Sequence, residues 1–159
     1  MAEFAGTPAG QDRRFAVIAS RFNQTIVERL VDGALDALVR HGVRADDVDV
    51  VWVPGAWELP IAARRLLASE RYDALVAVGA VIRGDTPHFD YVAGEASAGL
   101  ARASADFETP IGFGLLTCDD DAQARDRAGG VHGNKGWDAA LAALEMVDLF
   151  DRLDASDES

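Results

Sequence analysis

Apolar runs and amphipathic stretches alternate along this chain, and their spacing predicts its secondary structure. Short apolar runs rich in β-branched residues predict four buried strands, at residues 14–20, 48–54, 73–82 and 110–117. Apolar positions at helical spacing predict five helices, at residues 23–42, 59–70, 89–106, 119–129 and 136–153. Gly42 suits the end of the first helix, and the aspartates at 119–121 suit the positive end of the fourth. The order is strand then helix, four times, followed by one more helix.

This order predicts an α/β fold in one domain. Strands that are apolar throughout and separated by helices are typical of a parallel sheet that is covered on both faces. We therefore predict a three-layer sandwich, flavodoxin-like, with a four-stranded parallel sheet and helices on both faces. The domain is expected to span residues 14–153, between a flexible N-terminal segment at 1–13 and a polar C-terminal tail at 154–159.

Composition narrows the classes of partner. The 159 residues include 27 acidic and 15 basic side chains, for a net charge of -12. A surface this negative repels phosphate backbones and anionic lipids, so we expect no nucleic-acid partner and no membrane partner. Cys118 is the only cysteine, which excludes an intrachain disulfide and fits a reducing compartment. The start of the chain lacks the features of a signal peptide, and no apolar run approaches about 18 residues, so we predict a cytoplasmic protein.

Four loops are candidates for a ligand site, because ligands of parallel α/β sheets bind beyond the carboxyl ends of the strands. These loops are "SRFNQ" after the first strand, "PGAWELP" after the second, "RGDTPHF" after the third and "TCDDD" after the fourth. Each contains polar or aromatic side chains directly after a buried strand. The sequence therefore predicts a site at this edge of the sheet.

The third loop has the residues for binding an anion and moving a proton. Gly84 permits unusual backbone torsions, and the backbone N–H groups of Gly84, Asp85 and Thr86 can form an anion-binding cup. His88 stands near a helix N-terminus, where the dipole favours a neutral imidazole that can exchange protons. The alternatives are a capping or packing role for His88 and a simple turn role for Asp85.

Three aromatic residues and one carboxylate at strand ends have two interpretations each. The Trp57 ring can pack against a polar ligand while Glu58 accepts hydrogen bonds from its hydroxyl groups. The alternative is that Trp57 belongs to the core and that Glu58 lies in the first turn of a helix, where the helix dipole stabilises its charge. Phe22 can stack on a planar ring of a ligand, or it can plug the domain by filling space at the end of its core. Phe113 lies between two glycines, and the same two interpretations apply to it.

The segment "RDRAGGVHGNKGWD" concentrates positive charge on an otherwise acidic chain. Arg125, Arg127 and Lys135, the only lysine, accompany four glycines there. Guanidinium groups pair with phosphate oxygens through two parallel hydrogen bonds, so a small phosphorylated substrate fits this segment. The alternative is a helix connection with solvated charges.

The spacing of residues along the chain argues against several other kinds of functional site. The glycine-rich segment "RDRAGGVHGNKGWD" does not match a P-loop, and "GEASAG" does not match a nucleophile elbow. The dinucleotide-binding fingerprint is also absent. The three histidines are scattered, without cysteines or carboxylates at metal-ligand intervals, so no metal site is predicted.

Five segments together resemble the 6,7-dimethyl-8-ribityllumazine synthase family. They are "RFN", "PGAWELP", "GAVIRGDTPHFDYV", "PIGFGLLT" and "RAGGVHGNKGWDAALAALEM", in that order over about residues 14–150. The resemblance implies an enzyme of riboflavin biosynthesis that condenses 5-amino-6-(D-ribitylamino)uracil with 3,4-dihydroxy-2-butanone 4-phosphate and releases phosphate and water. It also implies that neither a metal nor an organic cofactor is needed.

The resemblance assigns contacts with the uracil substrate to three parts of the chain. It implies that Phe22 stacks on the pyrimidine ring. One segment is expected to hold the ribityl chain and the ring, with the carboxylate accepting from the hydroxyls: Ala56, Trp57 and Glu58. The strand-end backbone is expected to hydrogen-bond the uracil edge: Ala80, Val81 and Ile82. Trp57 stands where phenylalanine is commoner in the family, which keeps the aromatic character.

The remaining assignments concern the phosphate and the proton. The phosphate cup corresponds to three consecutive residues: Gly84, Asp85 and Thr86. Arg127 resembles the guanidinium that clamps the phosphate, and His88 the proton-transfer residue. In this family Phe113, Arg127 and Lys135 come from the neighbouring subunit, so the site forms only at an interface.

The resemblance also implies an assembly. We expect a homo-pentamer and, because "GGVHGNKG" has no insertion, a 60-subunit icosahedral shell that can enclose riboflavin synthase. Val131 stands where shell-forming members usually carry lysine. This difference argues against the 60-subunit shell and leaves the expected pentamer unaffected. The rival interpretations are a non-catalytic flavodoxin-like module that binds flavin or nucleotide, and a shell protein whose site has decayed.

Overall fold

The four predicted strands form one parallel sheet. A computed structural model describes residues 1–85 and 87–157. It contains β1 (Phe15–Ser20), β2 (Val48–Val53), β3 (Ala74–Ile82) and β4 (Ile111–Cys118), in the spatial order β2-β1-β3-β4. Each strand begins and ends within one residue of its predicted bounds. The sheet places β1 and β3 at the centre and β2 and β4 at the edges.

The helices follow the predicted order, and the largest differences from the predicted lengths are at the fourth and fifth helices. They are α1 (Gln24–Arg40), α2 (Leu59–Ala68), α3 (His88–Phe107), α4 (Asp121–Asp126) and α5 (Lys135–Asp157), with short 3-10 turns at Ala45–Asp47 and Ala56–Glu58. Helix α4 is shorter than predicted, because the glycine-rich segment after it forms an antiparallel hairpin of β5 (Ala128–Gly130) and β6 (Gly133–Asn134). Gly129 and Gly133 have φ angles of 100° and 78°, which favour glycine. Helix α5 extends beyond residue 153 and includes residues 154–157 of the predicted tail.

Two apolar clusters, one on each face of the sheet, make up the core. Val17 and Val76 pack towards α1 and α5, whereas the adjacent strand residues Ile18 and Leu75 pack towards α2 and α3. Alternate residues of a strand point to opposite faces, so a strand that is apolar throughout supplies both clusters. The predicted three-layer α/β sandwich is confirmed.

Residues 1–13 form no helix or strand and lie against α5. The Thr7 backbone N–H donates to the Asp148 carboxylate at 2.7 Å, and Arg13 pairs with Asp151. The Gly10 N–H donates to the His41 carbonyl at 2.8 Å. The expected flexibility of this segment and the domain bounds at 14 and 153 stay predictions.

The open edge of β4 borders an apolar groove between α3 and α5. Its volume is about 1020 Å³. The larger apolar side chains that line it are Leu100, Ile111, Phe113, Met146, Phe150 and Leu153. Extended exposed apolar surfaces mark sites that bind another molecule. Within the described residues, none of the helices combines the length and apolar character of a membrane span.

Candidate active site

The loop after β1 presents Phe22 at the carboxyl edge of the sheet. The Arg21 N–H donates to the Val53 carbonyl at 2.8 Å, and the Phe22 N–H donates to the Pro54 carbonyl at 3.2 Å. These bonds fasten the loop to the end of β2. The Phe22 side chain is 72% exposed, so it does not plug the domain. Its ring is therefore placed where a planar ligand can stack.

Asn23 joins this loop to β3 and was missed in the sequence analysis. It adopts a left-handed conformation with φ 61°, which asparagine tolerates better than most residues. Its side-chain amide donates to the Ala80 carbonyl at 2.9 Å. An asparagine at the start of a predicted helix was the available signal, but its partner lies 57 positions away along the chain.

The loop after β2 carries the second predicted segment. Ala56 is buried, Trp57 is 59% exposed, and Glu58 is partly buried. Glu58 occupies the N-cap position of α2, and among the described residues its side chain makes no capping hydrogen bond there. Its carboxylate lies close to Gly55, since a Cβ at that glycine would stand 3.4 Å from the Glu58 Oε2. The exposed tryptophan is thus excluded from the core of this chain.

The end of β3 extends beyond the end of β1. The last pairing between these strands is Ala19 with Val78, whereas β3 remains paired with β4 up to Ile82 and Cys118. The predicted backbone contacts lie in this extension, at Ala80, Val81 and Ile82. One edge of this stretch faces the loop that carries Phe22 and Asn23, beyond the last strand pairing with β1. Backbone groups there are suitably placed for the edge of a planar ring.

The loop after β3 differs from expectation at Gly84. Among the described residues the glycines with positive φ are Gly42, Gly129 and Gly133, so Gly84 does not use the torsions that were expected of it. A Cβ at Gly84 would meet nothing within 4 Å, so the position borders open space. Asp85 is exposed, and Thr86 lies outside the described residues. The phosphate cup stays a prediction.

His88 is the first residue of α3, close to where it was expected. Pro87 occupies the N-cap, and its carbonyl accepts from the Asp90 N–H at 3.0 Å. The imidazole is exposed at the carboxyl edge of the sheet. A solvent-exposed histidine at a helix N-terminus is accessible to a substrate, which a buried packing histidine is not.

Arg83 connects this loop with two other parts of the chain. Its backbone N–H donates to the Cys118 carbonyl at 2.8 Å, and its Nε donates to Asp119 Oδ1 at 3.1 Å. Its guanidinium carbon stands 4.6 Å from the ring centre of Phe89. The first turn of α3 is therefore linked to the loop after β4.

A second set of predicted residues converges on a separate cavity of about 350 Å³. Phe113, Arg127 and Lys135 all line it, and so does His132, which the sequence analysis did not single out. The Lys135 N–H donates to the Arg127 carbonyl at 2.8 Å across the β5–β6 hairpin. One guanidinium nitrogen of Arg127 donates to the Gln123 carbonyl at 3.2 Å. The hairpin thus brings an aromatic ring and two cations together.

Cys118 lies at the end of β4 and also lines this cavity. Burial raises the pKa of its thiol, and the positive charge of Arg127 opposes that effect. The thiol is protonated at neutral pH, so it is a poor nucleophile. Among the described residues, no group of three histidine, cysteine, aspartate or glutamate side chains is arranged to hold a metal ion. The absence of a metal or organic cofactor stays a prediction.

The two sets of residues are separated along the sheet. Phe113 pairs with Ala77, whereas the end of β3 at Ile82 pairs with Cys118. Five residues of strand correspond to about 16 Å. Phe113 is also 43% exposed on the open edge strand. Phe113 is therefore separated along β4 from the end of β3, although Thr117 and Cys118, at the end of β4, also line the cavity.

Comparison with known proteins identifies the family. The sequence model of 6,7-dimethyl-8-ribityllumazine synthase matches residues 12–151. A 6,7-dimethyl-8-ribityllumazine synthase of Gemmatimonas aurantiaca is 66% identical over 96% of this chain and 93% of its own length. The enzyme of the same name from Aquifex aeolicus is 52% identical over 94% of this chain and 97% of its own length.

The chain belongs to the 6,7-dimethyl-8-ribityllumazine synthase family. The predicted resemblance, fold class and activity are confirmed, and the chain is a transferase of riboflavin biosynthesis. Its reaction is the condensation of 5-amino-6-(D-ribitylamino)uracil with 3,4-dihydroxy-2-butanone 4-phosphate. The two rival functions, a non-catalytic flavodoxin-like module and a decayed shell protein, lose their support.

Proposed function

We propose that this lumazine synthase carries out its condensation in a pocket shared by two neighbouring subunits. One subunit supplies the carboxyl-edge loops, and its neighbour supplies the cavity beside β4. The observation that carries this proposal is the position of Phe113, about 16 Å along the sheet from the end of β3 and exposed on an edge strand. A residue placed there serves a site outside its own chain.

The first half of the pocket binds the uracil substrate. Phe22 stacks on the pyrimidine, and Trp57 forms an aromatic wall. Both rings are mostly exposed in the single chain, so a bound ligand removes apolar surface from water. Ala56 and Glu58 hold the ribityl chain, with the carboxylate accepting from hydroxyls. The strand-end backbone at residues 80–82 recognises the uracil edge.

The second half of the pocket and the third loop hold the phosphate. The neighbour's Arg127 clamps it through two parallel hydrogen bonds, and Lys135 adds a second positive charge. The backbone of Gly84, Asp85 and Thr86 completes the cup from the first chain. These cations focus a local attraction for phosphate on a chain whose net charge is -12.

His88 transfers protons during the reaction. Attack of the amine on the ketone forms a carbinolamine, loss of water gives an imine, and phosphate leaves after a carbon loses its proton. Each step moves a proton, and general acid–base catalysis by a positioned imidazole contributes about 10²–10⁴-fold. Holding the two substrates together contributes more, because effective molarities in oriented pairs are large.

The groove along β4 provides the subunit contact in this proposal. Its apolar lining suits burial against a neighbouring chain, which completes a homo-pentamer. Twelve pentamers form a 60-subunit shell that can enclose riboflavin synthase in the cytoplasm. Val131, which is exposed, replaces the lysine usual in shell-forming members. This substitution therefore argues against the shell and does not affect the proposed pentamer.

A subunit-mixing experiment tests the shared pocket. One variant carries Phe22→Asp and His88→Ala, which damage the first half, and the other carries Arg127→Ala and Lys135→Ala, which damage the second. Each variant alone should form little lumazine from the two substrates. The two variants are then unfolded and refolded together. About a quarter of the subunit interfaces should combine an intact first half from one variant with an intact second half from the other. Product fluorescence should then recover.

Each variant refolded by itself is the control, and its circular dichroism should match the unmutated chain. No recovery in mixed assemblies would place the site within one chain and contradict the shared pocket. Failure of the unmutated protein to form lumazine would contradict the proposal as a whole.

A further inference from the structure

We infer that Arg83 is a positioning residue that holds the first turn of α3, and with it His88, in the orientation needed for proton transfer. The inference rests on the proposed role of His88. Three contacts of Arg83 carry it: to the backbone of β4, to Asp119 and to the ring of Phe89.

Among the residues that the structure describes, no side chain at the N-cap position caps the first turn of α3. Helix N-termini leave backbone N–H groups without helical partners, and Ser, Thr, Asp or Asn normally satisfy one of them. Pro87 occupies this N-cap, and a proline side chain has no hydrogen-bonding group. A contact from another part of the chain therefore adds to what holds this turn in place.

Arg83 supplies that contact through Phe89. Its guanidinium lies over the aromatic ring, with 4.6 Å between the guanidinium carbon and the ring centre, within the range of a cation–π interaction. His88 and Phe89 are consecutive in the helix, so their side chains point about 100° apart around its axis. Restraining the ring of Phe89 fixes the rotation of the turn and hence the direction of the imidazole.

Asp119 anchors the guanidinium from the other side. The Arg83 Nε donates to Asp119 Oδ1 at 3.1 Å, and the Asp119 N–H donates to Gln123 Oε1 at 2.8 Å. A cation near the positive end of a helix is disfavoured, and the carboxylate offsets that charge. The backbone bond from Arg83 to Cys118, at 2.8 Å, fixes the base of the same side chain. The clasp formed by Arg83, Asp119 and Phe89 thus joins α3 to the loop after β4.

The expected effect is moderate, because Arg83 and Asp119 are 50% and 67% exposed and exposed pairs contribute little. Arg83→Ala should lower kcat about three- to tenfold. The KM for the uracil substrate should stay unchanged, since Phe22 and Trp57 lie on other loops and the substitution keeps the backbone bond from residue 83 to Cys118 that follows the strand end. Arg83→Lys, which keeps the charge but loses the flat stacking surface, should restore part of the rate.

The same chain offers a matched control. Arg64 pairs with Asp106 at 2.8 Å, and its guanidinium carbon stands 5.5 Å from the ring centre of Phe107. This second clasp lies at the far end of α3, about 30 Å from His88. Arg64→Ala should leave kcat unchanged while removing contacts of the same kind.

Steady-state kinetics of both variants, alone and combined with His88→Ala, tests the inference. Arg83→Ala should slow the unmutated enzyme but should have no further effect on kcat when His88 is already alanine. The imidazole NMR signals of His88 should broaden or shift in Arg83→Ala and not in Arg64→Ala.

Two outcomes would overturn the inference while the proposed function stands. One is an equal effect of Arg83→Ala with and without His88, accompanied by a raised KM for the butanone phosphate, which would make Arg83 a direct phosphate ligand. The other is equal kinetics for Arg83→Ala and Arg64→Ala. By contrast, full activity of His88→Ala itself would remove His88 from the mechanism, and this inference would fall with it.

Discussion

At the scale of single residues, the site combines exposed aromatic rings with charged groups at strand ends. Phe22 and Trp57 both present most of their surface to solvent. Large apolar side chains in such positions can bind a planar ligand or pack against a neighbouring chain. The residue-scale predictions concern the two groups that we propose act on the reacting substrates, His88 and Arg127.

Replacing His88 by alanine should slow turnover without abolishing it. General acid–base catalysis contributes about 10²–10⁴-fold, while the substrates remain held together by the rest of the pocket. The predicted result is a kcat lowered by about 10²-fold or more, with little change in KM. Steady-state fluorescence assays measure both constants, and an unchanged kcat would exclude His88 from the mechanism.

Replacing Arg127 by alanine should act mainly on binding. A charge-assisted pair with phosphate is lost, which costs about 2 kcal/mol or about 30-fold in affinity. We expect the KM for the butanone phosphate to rise by that factor, with the KM for the uracil substrate unchanged. Arg125→Ala is the control, because Arg125 pairs with Asp121 on the same helix. An equal rise in both KM values would indicate general damage to the pocket.

At the scale of elements, glycines set how closely α5 approaches its neighbours. A Cβ at Gly136 would stand 2.0 Å from the Leu30 carbonyl of α1, and one at Gly112 would stand 2.2 Å from the Ala139 carbonyl of α5. Both close contacts are to backbone, which cannot move aside like a side chain. The position of α5, and of Lys135 at its start, depends on these glycines.

Gly136→Ala should therefore destabilise the fold. Overpacking costs about 1–3 kcal/mol, and because this contact is with backbone we expect a cost near the top of that range, above the gain in helix propensity of about 1 kcal/mol. Gly94→Ala in α3 is the control with the opposite sign, since a Cβ there meets nothing within 4 Å. Urea unfolding of the two variants should show a decrease for the first and an increase for the second. Equal changes would contradict the packing argument.

The link between β2 and the loop before β3 should depend on pH. The Tyr72 hydroxyl donates to Asp49, and burial, followed by this hydrogen bond, raises the pKa of Tyr72 above 10.0. A raised pKa means that the contribution to stability is complete below pH 10.0 and decreases as the pH rises through the pKa of the folded state. Tyr72→Phe should thus lower the free energy of unfolding by about 1 kcal/mol at pH 7.

Urea unfolding at neutral pH and above pH 10 checks this. The difference between the unmutated chain and Tyr72→Phe should shrink at the higher pH, because the unfolded tyrosine ionises first. A difference that stays the same at both pH values would show that the hydroxyl contributes no pH-dependent stability.

At the scale of the whole molecule, the groove along β4 leaves an extended apolar surface on a chain that is otherwise acidic. We predict that light scattering gives a mass of about five or sixty times the chain mass of 16.9 kDa. Phe150→Glu places a charge in the groove, where burial without a partner is costly, and should lower that mass. Val39→Glu, at an exposed position outside the groove, should not. A stable single chain without substitutions would contradict the assembly.

The sequence alone determined the order of the elements and which loops gather at one edge of the sheet. Continuous apolar runs and the 3.6-residue helical period are local properties, so β1 to β4 were found within one residue, and His88 was placed at the start of α3. The same reasoning missed β5 and β6, since strands of three and two residues are too short to show a period.

Only the tertiary structure decided how distant residues meet. The register of β3 and β4 puts Phe113 far from the end of β3, and the hairpin brings Arg127 and Lys135 into the cavity beside it. The contact of Asn23 with Ala80 likewise depends on β1 and β3 being neighbours. Such contacts follow from strand order and register, which join residues far apart along the chain, whereas sequence periodicity reports only on neighbours within one element.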